Sequence, residues 1–368
     1  MASSGLEEIA HPFAFHVSGP RNVSSPNWKD IINSSWKDEN YKKTVLACFI
    51  QGVYLLELDR QEKRNEKTAL APNWWLPYKY KLVQTLIDER DQSIFGAVLE
   101  WDQAAARASM IPFRLSGAPK AILVIRGTLL KTPTLRRDIE DDLRFFAWET
   151  LRGSVRFKTA LMALRSVAEK YGSCNVCVAG HSLGAGFALQ VGKELAKEAI
   201  YVEAHLFNPP SVSLAMSLRD IGEKAEGAWK RIKALLPITG EVQTSVPESK
   251  TEQTLSGFRS WVPYRNHKME PQKWIPYLYV NDSDYICCSY TNSDGQANPS
   301  EEVLSGNGVP AKLFVTSKGK QKFLEAHGLE QWWADDMQLQ LAVQNSKLIS
   351  RQLKTLYNRE LSDKLIKS

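Results

Sequence analysis

The stretch VCVAGHSLGAG, residues 176–186, predicts the fold of this chain because it joins a strand, a sharp turn and a helix. Its first four residues form an apolar run typical of a buried strand, and residues 185–197 continue with a helical pattern. Gly180 and Gly184 lie two residues either side of Ser182. Because glycine lets neighbouring backbone approach closely, this arrangement predicts a nucleophile elbow, a tight bend that exposes the serine hydroxyl.

The elbow makes Ser182 the candidate nucleophile. A glycine-x-serine-x-glycine pattern alone is weak, since it occurs by chance in about one chain in ten of this length. Here the strand, the turn and the helix follow one another in the required order, which makes the pattern more specific. Folds with such an elbow carry their catalytic residues in the chain order serine, acid, histidine.

The candidate histidine is His327, which alone follows every acid candidate. The other five histidines lie at or before the elbow, within a strand-like run, or ahead of the best acid candidates: His11, His16, His181, His205 and His267. His327 follows an apolar run at 312–315 and precedes a helix-like segment at 329–341, so a loop at the edge of the sheet would present it. The alternative is a surface histidine at the start of a helix.

The candidate acid lies in the segment NDSD, residues 281–284, directly after a strand predicted at 277–280. Catalytic carboxylates of open α/β sheets lie at the carboxyl edge of the strands. Asp282 and Asp284 are two residues apart, and only one of them is needed to orient an imidazole. The other would then cap a turn.

A second buried strand, AILVIRGT at residues 121–128, ends abruptly in arginine, glycine and threonine. This ending resembles that of the lipase class 3 family, the fungal triacylglycerol lipase type, and the chain is most similar to plant lipase class 3-like proteins often labelled GDSL esterases. The resemblance implies that Thr128, through its N–H and hydroxyl, and Leu183, through its N–H, form an oxyanion hole. It also favours Asp284 as the acid, since residues 280–287 approximate the family's acid motif.

The chain departs from the family pattern at several positions. Ile125 replaces a phenylalanine, the segment LFNPP at 206–210 lacks the family's glycine, and Cys287 replaces a proline. None of these changes removes a catalytic atom. They indicate a divergent branch, with a resemblance that covers about residues 90–345.

The predicted architecture is an α/β-hydrolase fold with a mainly parallel central sheet. Strands are expected at 95–100, 121–125, 176–179, 203–207, 277–280 and 312–315, separated in several places by helical patterns. Residues 1–89 are expected to form a helical N-terminal layer on the core, residues 90–345 the hydrolase domain, and residues 346–368 a helical tail. An insertion at 213–272 is interpreted either as a cap over the site or as a surface excursion.

Composition favours a large enzyme domain over a nucleic-acid-binding protein. The 368 residues are 43% hydrophobic, and 47 basic against 41 acidic residues give a net charge of +6 that is spread along the chain. This charge favours contact with anionic membrane surfaces. No apolar run approaches the roughly 18 residues that span a bilayer, so we expect a cytoplasmic protein, at most peripheral to membranes.

The five cysteines do not indicate a disulfide framework. Cys174 and Cys177 form a CxxC pattern, but they lead into a strand where residues three apart face opposite sides. We therefore expect no metal, and no cofactor is required for the chemistry indicated by the motifs.

These residues together indicate a serine hydrolase that cleaves carboxylic esters, with an acyl ester or lipid as its substrate partner. A thioesterase or an acyltransferase would share the same acyl-enzyme step. A catalytically silent, lipase-like scaffold for protein interaction is the alternative from another class. The oligomeric state has no signal in the sequence.

Overall fold

The computed structural model describes residues 10–21, 23, 25–27, 29, 35–129, 155–210, 274–290, 312–316, 319, 321–334 and 340–342. Within them the strands form one eight-stranded sheet in sequential order. They are β1 Tyr80–Ile87, β2 Ile94–Trp101, β3 Ala121–Ile125, β4 Val176–His181, β5 Glu203–Phe207, β6 Tyr277–Asn281, β7 Lys312–Thr316 and β8 Gln340–Ala342.

The sheet is parallel at its centre and antiparallel at its edges. Neighbouring strands from β3 through β7 pair in parallel, whereas β1, β2 and β8 add on in antiparallel pairings. The predicted α/β-hydrolase architecture is confirmed, with all six predicted strands present at nearly their predicted bounds. The edge strands β1 and β8 were not predicted from the sequence.

Six α-helices lie within the described residues. They are α1 Phe15–Ser18, α2 Glu39–Gln61, α3 Gln103–Ala108, α4 Val155–Tyr171, α5 Leu183–Lys197 and α6 Phe323–His327. The two helices expected from periodicity at either side of β4 are α4 and α5. The helix expected at 329–341 is wrong, since Leu329–Trp333 forms a short 3₁₀ turn and Gln340–Ala342 is strand β8.

Alternate side chains of each central strand enter two separate apolar cores, as the two-residue period of a strand requires. Leu123 and Ile125 of β3 face the core that includes α4 and α5. Their neighbours Ile122 and Val124 face the core that includes α2. Both layers of helices are therefore held by burial of the same near-continuous apolar strands.

Helix α2 packs against the sheet through its apolar side and through one buried carboxylate. It begins where the Asp38 side chain accepts the Asn40 N–H at 2.8 Å. Near its other end, Glu57 accepts the backbone N–H of Ile94 at 2.8 Å and is bound by Arg60. Burial alone would raise the pKa of Glu57, but these hydrogen bonds lower it to about 2, so the carboxylate is ionised. Its hydrogen bond to Ile94 holds α2 against the start of β2.

The domain boundaries expected from the sequence fall partly outside the described residues. The insertion at 213–272 and the tail at 346–368 lie beyond them. Strand β1 starts at Tyr80, ahead of the boundary expected at residue 90, so the sheet already begins within the segment assigned to the N-terminal layer. Across the described residues, no helix combines the length and the apolar character needed to cross a membrane.

Replacing Gly192 by alanine tests the packing of α5. A methyl group there would come within 2.5 Å of the Trp274 ring, whose indole N–H is held by the Val202 carbonyl at 2.6 Å. Alanine favours a helix by about 1 kcal/mol over glycine, yet overpacking costs about 1–3 kcal/mol, so we expect Gly192→Ala to lower stability in urea unfolding. The loss should shrink when Trp274→Phe removes the clashing ring, and an equal loss in both backgrounds would contradict this account.

Candidate active site

Ser182 lies on the bend between β4 and α5, at φ 53° and ψ −126°. A residue other than glycine rarely adopts a positive φ, and holding it there costs about 1–3 kcal/mol. The backbone N–H of Ser182 donates to the Phe207 carbonyl at 2.9 Å, which ties the bend to the end of β5. The side chain is held at the carboxyl edge of the parallel strands.

The two flanking glycines allow the close backbone approaches that the sequence predicts. A methyl group on Gly180 would strike the carbonyl of Gly184. One on Gly184 would strike the carbonyls of Ile125 and Arg126 at the end of β3. The bend and the end of β3 are therefore packed backbone against backbone.

The segment that follows β3 lies beside Ser182. A methyl group on Gly127 would come within 2.9 Å of the Ser182 Cβ, and Thr128 lines the same cavity as Ser182. The buried guanidinium of Arg126 holds this segment, since its Nε donates to the Ile94 carbonyl and its Nη1 to the Gly127 carbonyl, both at 2.6 Å. Of the two residues of the predicted oxyanion hole, Leu183 directly follows Ser182 as the first residue of α5, and Thr128 lines the same cavity as Ser182.

The structure brings Asp284 and His327 together. His327 ends α6, and its Nδ1 lies 2.8 Å from Asp284 Oδ2. Asp284 is fully buried in the turn after β6, whereas Asp282 is exposed. Of the two carboxylates left open by residue spacing, only Asp284 therefore contacts the histidine. His327 and Ser182 line one cavity.

The Asp284 carboxylate is held ionised. Burial would raise its pKa, but the charge and hydrogen bond of His327 outweigh this, helped by donors from Asn208 and from the Ile286 backbone, so the pKa lies below its usual range. Because the carboxylate can only accept, His327 Nδ1 carries a proton, and the lone pair of the neutral imidazole is on Nε2. Such an imidazole can act as a general base.

A second set of hydrogen bonds joins three parts of the site through Tyr54 of α2. The Gly127 N–H donates to the Tyr54 hydroxyl at 2.8 Å, and that oxygen lies 2.8 Å from His181 Nδ1. His181 Nε2 lies 2.8 Å from the carbonyl of His327. A carbonyl only accepts, so Nε2 is the protonated nitrogen of His181 and the Tyr54 hydroxyl donates to Nδ1.

His181 is consequently a neutral structural histidine. Burial and the neighbouring His327 lower its pKa to about 3, and the opposing effects of the His327 carbonyl and Asp284 do not reverse this. Its ring connects the end of β4 to the last residue of α6. Each group in this network therefore donates to the next, from the Gly127 N–H through Tyr54 and His181 to the backbone carbonyl of His327.

A largely apolar cavity of about 530 Å³ opens onto Ser182 and His327. Its apolar lining consists of Phe13, Leu55, Leu58, Leu129, Leu324 and Leu329. Leu324 is 56% exposed and Phe13 is 40% exposed, so the lining continues to the protein surface. The volume is in the range of ligand pockets.

Three residues of this site were not predicted from the sequence: Tyr54, His181 and Asn208. Tyr54 lies on a helix whose apolar periodicity predicts only packing, so no local pattern distinguishes it. Asn208 follows β5 directly and therefore lies at the same carboxyl edge as the candidate acid, a signal that could have identified it. Within the described residues, no cluster of three histidine, cysteine or carboxylate side chains could hold a metal.

Comparison with known proteins gives a relative that aligns along most of the chain. No protein-family model matches. The chain is 29% identical over 360 residues to an Arabidopsis thaliana protein named GDSL esterase/lipase, covering 90% of this chain and 98% of that protein. The resemblance to plant proteins labelled GDSL esterases is therefore confirmed.

Two solved structures of fungal lipases also align, each at 11% identity. One is a propeptide complex of Rhizomucor miehei lipase, with a TM-score of 0.38 over 85% of this chain and 74% of that chain. The other is a lipase from Rhizopus microsporus var. chinensis, with a TM-score of 0.32 over 91% of this chain and 86% of that chain.

Removing the hydroxyl of Tyr54 should weaken both folding and the site. Tyr54→Phe leaves the Gly127 N–H and His181 Nδ1 without their buried partner, which costs about 1–3 kcal/mol. We expect a lower urea midpoint and a slower reaction of Ser182 with a fluorophosphonate. Tyr201→Phe, a partly buried tyrosine packed on the core that includes α4 and α5, is the control. Equal behaviour of the two variants would rule out the network.

The neutral state of His181 makes stability depend on pH. The unfolded imidazole titrates near 6.5 and the folded one near 3, so between these values only the unfolded chain binds the proton. The stability contributed by neutral His181 is therefore complete above about pH 6.5 and is lost as the pH falls toward 3, by at most about 1.4 kcal/mol per pH unit. In urea unfolding over this range, His181→Gln, which keeps an N–H donor, should lose stability less steeply than the wild type. The exposed His16→Gln variant should follow the wild-type slope, and an unchanged slope in His181→Gln would refute the assignment.

Proposed function

We propose that this chain, a relative of the plant protein named GDSL esterase/lipase, is a serine hydrolase that cleaves carboxylic esters. Ser182 is the nucleophile, His327 the general base and Asp284 the residue that orients the imidazole. The observation that carries the proposal is the 2.8 Å contact between Asp284 and His327 at a cavity that also exposes Ser182 on a strained bend. A strained backbone beside a buried acid–histidine pair is typical of a catalytic site.

The first half of the reaction forms an acyl-enzyme. His327 Nε2 takes the proton of the Ser182 hydroxyl while Oγ attacks the ester carbonyl carbon. Asp284 stabilises the imidazolium that results, and the backbone N–H groups of Thr128 and Leu183 bind the negative oxygen of the tetrahedral intermediate. The intermediate collapses, the ester C–O bond breaks, and the leaving alcohol takes the proton from His327.

The second half returns the enzyme to its starting state. A water molecule gives a proton to His327 Nε2 and attacks the acyl carbon. The second tetrahedral intermediate releases the carboxylic acid, and the proton returns to the Ser182 oxygen. In both halves of the reaction, one hydrogen-bond donor of an oxyanion hole, such as the N–H of Thr128 or Leu183, contributes about 10²–10³-fold to the rate.

An acyl lipid is the substrate class that best fits the cavity. The apolar side chains that line the cavity are leucines and a phenylalanine, and Phe13 and Leu324 among them reach the surface. Burying a methylene group against such a lining contributes about 0.8 kcal/mol. Longer acyl chains should therefore bind more tightly than acetyl groups, and the modest positive charge of the chain favours an anionic lipid surface.

Labelling with a fluorophosphonate tests the proposal, because this reagent reports an activated serine whatever the substrate. We expect the wild type to be labelled and to hydrolyse nitrophenyl octanoate better than the acetate. Ser182→Ala and His327→Ala should lose both activities by about 10³-fold or more. Asp284→Asn should lose about as much, since the wrong tautomer of His327 would then be favoured.

Ser173→Ala is a matched control, since Ser173 lies just before β4, at the opposite end of the strand from Ser182. It should behave as the wild type. Wild-type protein that is neither labelled nor active, with or without mild detergent, would instead support a silent scaffold. Faster turnover of acyl thioesters than of the matched esters would favour a thioesterase.

A further inference from the structure

Asn208 has a backbone conformation that residues other than glycine seldom adopt, although asparagine tolerates it better than most. It follows β5 at φ 45°, in the left-handed region, and is completely buried. For a residue with a Cβ atom this conformation costs about 1–2 kcal/mol, and glycine would avoid the cost. Its backbone N–H donates to the Tyr279 carbonyl at 2.8 Å, so the turn is fixed to β6.

The orientation of the Asn208 amide is determined by its partners. The indole N–H of Trp332 lies 2.8 Å from Oδ1, and an indole nitrogen can only donate. Nδ2 lies 2.8 Å from Asp284 Oδ2 and 3.1 Å from the carbonyl of Ala326, and both of these oxygens only accept. The amide nitrogen therefore faces Asp284, and the flipped orientation would leave every partner mismatched.

Asn208 contacts Asp284 directly and reaches His327 through the backbone carbonyl of the residue before it. Asp284 Oδ2 accepts hydrogen bonds from both Asn208 Nδ2 and His327 Nδ1. The Cys287 thiol lies 3.2 Å from the same oxygen. The Ala326 carbonyl belongs to the residue directly before His327. One amide group thus holds the carboxylate and the end of α6 at a fixed separation.

We propose that Asn208 is a positioning residue that sets the geometry of the Asp284–His327 pair. This role rests on the proposed function. It acts through Asp284, because Asn208 is not among the residues that line the cavity at Ser182. Without it the carboxylate can rotate away from the imidazole, and Nε2 of His327 is no longer aimed at the Ser182 hydroxyl. A misplacement of this kind by about 1 Å can cost about 100-fold in rate.

Asn208→Gly is the first test, because glycine suits the backbone conformation and removes only the side chain. We expect kcat on nitrophenyl octanoate to fall by about 10- to 100-fold while KM stays within about twofold. The Nδ1 proton of His327, deshielded by its hydrogen bond to Asp284, should give a far-downfield ¹H NMR signal in the wild type that shifts or disappears in the variant. His327→Ala identifies that signal by its loss.

Two neighbouring tryptophans provide a matched pair that does not require Asn208 to be changed. Trp332→Phe removes the donor that orients the amide, whereas Trp333→Phe removes a donor that binds the Ser18 carbonyl at 2.8 Å. We expect the first variant to lower kcat and shift the NMR signal, and the second to do neither. This comparison decides the question if Asn208→Gly does not fold.

The outcomes separate the inference from the proposed function. Wild-type kcat and an unchanged downfield signal in Asn208→Gly would overturn the role of Asn208 while ester hydrolysis stands. Equal effects of Trp332→Phe and Trp333→Phe would also overturn it. An inactive, unlabelled wild type would overturn the proposed function, and the downfield signal, which needs no substrate, would still decide whether Asn208 positions the pair.

Discussion

The strained backbone of Ser182 is the constraint on which the arrangement of the site depends. The close packing of β4 against the end of β3 and the end of β5 holds Ser182 at its positive φ. Gly180 and Gly184 remove the side chains that would obstruct this packing, and the Phe207 carbonyl holds the N–H at the bend. A conformation that costs about 1–3 kcal/mol is thus stabilised by the central sheet as a whole.

Two sets of hydrogen bonds converge on His327 from opposite sides. One set comes from α2 through Tyr54 and His181 and ends on the backbone carbonyl of His327. The other comes through Asn208 and Asp284 and ends on the ring nitrogen Nδ1. Each link is a buried or partly buried polar group whose loss would leave a partner unsatisfied, so the two sets hold both the backbone and the imidazole of one residue.

The sequence predicted the central strands, the elbow and the candidate residues because each depends on a local pattern. Spacing alone left Asp282 and Asp284 equivalent, because residues two apart face the same side of a strand that continues. In the structure β6 ends at Asn281, and the turn after it directs Asp284 inward. The prediction of a helix at 329–341 is wrong because apolar residues at helical spacing are also compatible with a 3₁₀ turn beside the core. Tyr54 depends on contacts between distant segments, which no local pattern carries, whereas the place of Asn208 directly after β5 could have identified it.

The participation of Tyr54 has a consequence for recombining this protein with its relatives. Helix α2 precedes the whole sheet in the chain, yet its hydroxyl contacts the segment beside the elbow. A chimera joined between α2 and β1 would combine a tyrosine from one parent with a histidine from the other. A crossover between α2 and β1 therefore preserves this hydrogen bond only when the residue at position 54 from one parent can still donate to the residue at position 181 from the other.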